Sequence, residues 1–158
     1  MNHCPLKPED IEVFSSAIGR YFENTTGKRA EVRSAYLLDT GTPACLANDF
    51  NGLIEIGGGY VGSVCFSAPL ALLSHVLLAG GESDYTDEKH ADLVGEIANT
   101  LAGQARRHFG EGLQISLPQT FRRQQAMPER RAKSAPYAIP LAWNGYAADL
   151  VVNLDAHR

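Results

Sequence analysis

Apolar residues recur every three or four positions in two long stretches of the chain, crowd together in a third, and alternate in short runs elsewhere. Ile11, Phe14, Ala17, Ile18, Tyr21 and Phe22 form the stripe of an amphipathic helix from Pro8 to about Thr25. Pro8 suits its opening turn, Glu9 and Asp10 favour its N-terminus, and Gly27 ends it. The Asn24-Thr25-Thr26 triplet matches a glycosylation acceptor but reads here as a helix end. Glu31 to Leu38 reads as a strand, and Leu53 to Ile56 and Tyr60 to Phe66 as a hairpin joined by Gly57, Gly58 and Gly59. Gly57, Gly59 and Gly62 spell GxGxxG, but Ser63-Val64-Cys65-Phe66 continues as a strand, and a dinucleotide loop must open a helix there. Ser67 is placed to cap a short helix with Pro69 in its first turn and Leu70, Leu72, Leu73, Val76, Leu77 and Leu78 on nearly every side. A helix apolar all round is buried or lies at a subunit contact.

The second long stretch, Thr86 to about Gly110, is the strongest helix. Thr86 can cap it, Asp87 and Glu88 sit at the positive end of its dipole, Arg106, Arg107 and His108 at the negative end, and Gly110 stops it. Leu93, Val94, Ile97, Leu101, Ala105 and His108 or Phe109 form a core stripe. Asp92, Glu96, Asn99, Gly103 and Arg106 recur at the same spacings on the other side. Three residues of helix advance about 4.5 Å, so the Glu96 and Asn99 side chains point at one partner from neighbouring turns. Asn is a poor helix former, and Gly costs roughly 1 kcal/mol relative to Ala in mid-helix. Asn99 and Gly103 therefore ask for a reason, and a closely approaching partner supplies one.

Leu113 to Leu117 reads as a strand ending at Pro118. Ala138 to Trp143 and Ala147 to Leu154 read as a hairpin turned by Asn144-Gly145. With no internal repeat and no long linker, the order predicts one α+β domain over residues 1–158: an antiparallel sheet covered by two long helices and one short helix. An open sheet edge needs protection, and pairing with a second copy is one way to provide it.

Composition narrows the function. A chain of 158 residues, 44% apolar, supports one good core. A formal net charge of −4 gives no general attraction to nucleic acid or anionic membrane. Cys4, Cys45 and Cys65 are odd in number and lack CxxC spacing, so they read as reduced thiols. No signal peptide pattern opens the chain and no segment reaches the roughly 18 apolar residues of a membrane span, so a cytoplasmic location is expected. His3, His75, His90, His108 and His157 are too scattered to nominate a metal site, and His75 reads as a packed histidine. Arg122, Arg123, Arg130, Arg131 and Lys133 gather against the single acid Glu129: a solvated connection, or else a positive patch that steers an acidic partner.

The run DLVGEIANTLAG followed by GLQISLPQTF resembles the CheC and CheX group of chemotaxis phosphatases. The group's pattern is an acid or serine, three residues, Glu, two residues, Asn, and a Pro in the next strand. These positions are Asp92, Glu96, Asn99 and Pro118, and the single Glu-x-x-Asn pair fits the CheX branch. The chain departs from the pattern at Phe121-Arg122-Arg123, where the group usually has a glycine. The resemblance implies dephosphorylation of a phosphorylated CheY-type response regulator. By it, Asn99 would orient the attacking water and Glu96 would pair with the regulator's active-site lysine. Asp92, Gly103 and Arg106 would be partner-binding positions, with Gly103 leaving room for close approach. This chain would bind no cofactor, the Mg²⁺ would belong to the regulator, and the protein would be a homodimer.

Two other classes remain. Related domains serve as flagellar-switch and adaptor modules, and docking on a receiver domain requires no hydrolysis. An amide at Asn99 favours the enzyme, since docking alone does not require one. Nucleic-acid binding through Arg122 to Lys133 predicts strongly salt-dependent affinity and runs against the acidic whole.

Overall fold

A computed structural model describes residues 6–156; Cys4, His3 and His157 lie outside the described residues. Three helices and eight strands follow in the order α1 (Pro8–Thr26), β1 (Glu31–Val32), β2 (Tyr36–Leu37), β3 (Phe50–Gly58), β4 (Tyr60–Ala68), α2 (Leu70–Ala79), α3 (Asp87–Phe109), β5 (Leu113–Ile115), β6 (Gln119–Arg122), β7 (Tyr137–Trp143) and β8 (Tyr146–Ala156). The strands form one antiparallel sheet ordered β1-β7-β8-β4-β3-β5, with β2 also on β7 and β6 also on β3. This is the α+β architecture expected from the hydrophobic pattern.

Both hairpins form where glycine permits the turn. Asn144 and Gly145 adopt φ of 51° and 82°, the left-handed pair that a two-residue hairpin requires. The GxGxxG run lies within the β3–β4 hairpin, as its continuation into a strand implied. The single strand expected over Glu31 to Leu38 is instead two two-residue strands on the outer edge of β7. A second correction concerns α2. Ser67 belongs to β4, and its hydroxyl donates to Asn51 Oδ1 at 2.6 Å. The free amide of Leu70 is satisfied instead by the Asp49 carboxylate at 2.8 Å, from a segment distant in sequence.

The helices pack on one face of the sheet around Phe14, Phe22, Ile54, Phe66, Leu73, Ile97 and Leu101. The opposite face is covered as well. Leu53 and Cys65, paired in register, face away from Ile54 and Val64 and join Ala44, Cys45, Phe121 and Met127 in a second small cluster. Covering both faces buries every residue from Gly62 to Ala68, which blurs the alternation of a one-sided sheet.

Two irregular segments make that cover, residues 38–49 and 123–136, and they overturn one expectation and add to another. Cys45 and Cys65 form a disulfide, with Cα atoms 5.5 Å apart and a separation of 20 positions in sequence, so they are not reduced thiols. Spacing rules detect local pairs, whereas the sheet brings these two together. The basic stretch is largely exposed, as a solvated connection would be, but it is anchored to the sheet. Arg130 donates to the carbonyls of Thr40, Thr42, Ala132 and Ser134 and to Asn153 Oδ1, which staples both segments to β8. The buried Asp155 accepts from the backbone amides of Lys133 and Ser134 at 2.8 and 3.2 Å. Arg122 pairs with Asp87 at 3.1 Å, Arg123 with Asp49 at 3.1 Å and Arg131 with Glu55 at 3.2 Å.

Closing a loop of this length stabilises by about 3 kcal/mol in the chain-entropy account. Cys45→Ser is therefore expected to lower unfolding stability by about that amount. Denaturant titration of this variant beside oxidised and reduced wild type checks it; reduction should reproduce the variant.

Candidate functional site

α3 is built as its sequence implies. The Thr86 hydroxyl accepts from the Lys89 amide at 3.3 Å, acids occupy the first turn, and Arg106, Arg107 and His108 occupy the last. Asp84 supports the cap, and its hydrogen bonds from Thr86 hold its carboxyl below the usual range. His90, buried on the first turn, offers Nδ1 to the Thr86 carbonyl at 2.6 Å and Nε2 to the Ser74 hydroxyl at 2.7 Å. The carbonyl can only accept, so Nδ1 donates, and in the neutral ring Nε2 then accepts from Ser74. The ring also stacks on Phe50, 5.5 Å between centroids, joining α2, α3 and β3 in one structural knot.

Close approach seats the helix. Gly52 of β3 lies directly under the Val94 carbonyl, and a Cβ added there would overlap it, 2.6 Å from the carbonyl carbon. One residue on, Gly95 abuts Pro118 and Thr120, which a Cβ would meet at 3.4 and 3.5 Å. These glycines set the height and lateral position of the turn that carries Glu96. Pro118 thus acts by packing beside the motif, as the strand after α3 returns along β3. The missing glycine at Phe121-Arg122-Arg123 leaves β6 intact, and Arg122 lies over the Phe50 ring at 4.2 Å.

The face opposite the core stripe is exposed at Asp92, Glu96, Asn99 and Arg106, and half-buried at Gly103. Glu96 and Asn99 stand one turn apart on that face. Their circumstances differ. The Tyr21 hydroxyl on α1 donates to Glu96 Oε2 at 2.7 Å. The Asn99 side chain makes no hydrogen bond among the described residues. Gly103 has no packing reason either, since a Cβ there would meet nothing within 4 Å.

α1 runs antiparallel beside α3, with Asp10 bonded to His108 at 2.7 Å at one end and Tyr21 to Glu96 at the other. Tyr21 belonged to the core stripe by periodicity, and its link to Glu96 has no signal in sequence, because 75 residues separate the two. His75 is packed as expected, edge-on to Trp143 and Tyr146 with ring centroids 5.1 and 5.8 Å away, and it accepts from the Asn144 amide. Among the described residues no three His, Cys, Asp or Glu side chains group as a metal site, and no helix is long and apolar enough to cross a membrane.

No curated protein matches the chain in sequence. Solved structures match it in fold. The chemotaxis protein CheX from Desulfovibrio desulfuricans is 22% identical, with 93% of this chain and 99% of that one covered at a TM-score of 0.77. The CheX of Vibrio vulnificus is 17% identical, with the same 93% and 99% covered and the same TM-score of 0.77. A chain of the CheX–CheY–BeF3–Mg²⁺ complex from Borrelia burgdorferi is 16% identical, with 94% of this chain and 99% of that one covered at 0.70. The sequence profile described as chemotaxis phosphatase CheX matches residues 50–142, from β3 through α3 into β7. That span is more than half of the sequence and contains the whole exposed row, so the chain belongs to the CheX family of chemotaxis phosphatases.

Proposed function

We infer that this chain, as one domain and in a homodimer, hydrolyses the aspartyl phosphate of a CheY-type response regulator. The observation that carries the reading is the pairing of Glu96 with Asn99 on the exposed face of α3, inside the region matched by the family profile. One of those side chains is held in place and the other is unengaged among the described residues.

An aspartyl phosphate is a labile acyl phosphate that lacks only a water held in line with phosphorus. Supplying that water is a matter of positioning. The Asn99 carboxamide is suited to it: Oδ1 can accept from the water while the water's lone pair faces phosphorus. The water oxygen bonds to phosphorus as the phosphorus–oxygen bond to the aspartyl group breaks, giving inorganic phosphate and a free carboxylate. An amide is no general base, so Asn99 orients and takes no proton. Glu96, on the adjacent turn, pairs with the regulator's lysine and fixes the register. Asp92 and Arg106 dock beside it. Gly103 lets the partner's backbone approach, which accounts for a helical glycine with no internal neighbour. The regulator's own site holds the Mg²⁺, in keeping with the ion named in the Borrelia complex. The homodimer part of the reading draws on Tyr36 and Leu37, which stand 48% and 57% exposed on the short edge strand β2.

The test is the decay of phosphate from CheY-type receivers with and without the protein. Acceleration at substoichiometric concentration supports catalysis; binding without acceleration makes the chain a docking module instead.

A further inference from the structure

We propose that Tyr21 is a positioning residue for Glu96, holding its carboxylate in the orientation that receives the regulator's cationic side chain. The inference rests on the role given to Glu96 above, and adds to it a residue on another helix. Its basis is geometric. The Tyr21 ring packs against the main core and meets the Phe22 ring edge-on, with centroids 5.9 Å apart and planes at 79°. Its position is therefore set by the interior of the molecule, while its hydroxyl emerges at the surface and donates to Glu96 Oε2 at 2.7 Å. A phenol has one proton to give and a carboxylate can only accept, so that proton is committed to Glu96.

Burial, and next the Glu96 hydrogen bond, push the Tyr21 phenol well above its usual range, so it stays a donor at every working pH. A glutamate on an exposed helix face ordinarily samples several rotamers and loses that freedom on binding a partner. Here the loss is already borne by folding. The bond to Tyr21 uses one carboxylate oxygen, and the group offers about four lone-pair sites, so a cation can be accepted at the same time. The Thr100 hydroxyl bonds the Glu96 backbone carbonyl at 2.9 Å and leaves the carboxylate to Tyr21. Two helices, and not one, therefore define the Glu96 position.

The test is a double-mutant cycle over wild type, Tyr21→Phe, Glu96→Ala and the double variant. Two readouts are followed: kcat and KM for dephosphorylation of a CheY-type receiver, and affinity for that receiver loaded with beryllofluoride and Mg²⁺. Tyr21→Phe keeps the ring and removes only the donor. It is expected to raise KM and weaken affinity about tenfold, as for loss of a hydrogen bond to a charged group, with kcat within about twofold. In the Glu96→Ala background the same change should have no further effect, whereas a merely structural role would appear in both backgrounds. Equal effects in the two backgrounds overturn the proposal, as does tighter binding by Tyr21→Phe, which would make the bond a latch. Coupling in affinity without catalysis by wild type leaves the positioning role standing while the phosphatase reading falls. Catalysis by wild type without coupling does the reverse, and absence of both binding and catalysis overturns the two together.

Discussion

Asn99→Ala is expected to remove most of the acceleration of aspartyl-phosphate decay, a loss of about 10²- to 10³-fold, the size seen when one oriented hydrogen-bonding group is taken from a reacting centre. The substitution isolates function unusually well. Asn99 is exposed, and its side chain makes no hydrogen bond among the described residues, so no internal contact is broken. Alanine is the better helix former by some tenths of a kcal/mol, so α3 should hold or gain stability. The expected result is a protein of unchanged or slightly raised Tm, with unchanged affinity for a beryllofluoride-loaded receiver and little hydrolysis. Asn99→Asp probes the same point differently: a carboxylate facing a phosphoryl group repels it, so docking as well as hydrolysis should suffer. Full activity in Asn99→Ala would remove water orientation from this residue and leave the exposed row as a docking surface.

Gly52→Ala is expected to destabilise the fold by at least about 3 kcal/mol, the upper range for overpacking a well-packed interior. For a domain of this size that corresponds to a fall in Tm of roughly 10 °C. The added methyl would overlap the Val94 carbonyl, which is helix backbone held by its own hydrogen bonds and cannot rotate away as a side chain would. Either β3 or α3 must shift. Because Gly95 next to Val94 abuts Pro118 and Thr120, a shift of the helix also displaces the turn that carries Glu96. Receiver binding should therefore weaken at temperatures where the variant is still folded. Gly57→Ala is the control: a Cβ at Gly57 meets nothing within 4 Å, and that variant should melt close to wild type. Equal effects from the two substitutions would mean that glycine flexibility in β3, and not the approach of α3, is what matters.

Much of the molecule was legible in the order of its residues. The limits of α1 and α3, the capping by Thr86, the stops at Gly27 and Gly110 and the Asn144-Gly145 hairpin all depend on residues within a few positions of one another. Local steric and hydrogen-bonding rules govern such features, and those rules read directly from a string. The exposed row on α3 was legible for the same reason, since helical spacing converts sequence intervals into a face. The failures share the opposite cause. Ser67 looked like a cap because the true partner of the Leu70 amide, Asp49, arrives from a distant loop. The anchoring of the stretch after β6 was not legible because Arg130 bonds to carbonyls as far away as Thr40 and Thr42. Cys45 and Cys65 looked like separate thiols because only the register of the sheet places their Cα atoms 5.5 Å apart.

The sequence by itself determined the helices, the antiparallel hairpins, the fold class and the presence of an acid, a glutamate and an asparagine in one row. Only the tertiary structure decided that the sheet is covered on both faces, that a strand glycine lets α3 sit at contact distance, and that a tyrosine on α1 holds Glu96 while Asn99 is left unengaged among the described residues. The division follows the range of the interactions. Backbone propensity and periodicity act over one or two turns, whereas the orientation of an exposed carboxylate depends on whichever group folding brings within hydrogen-bonding distance of it.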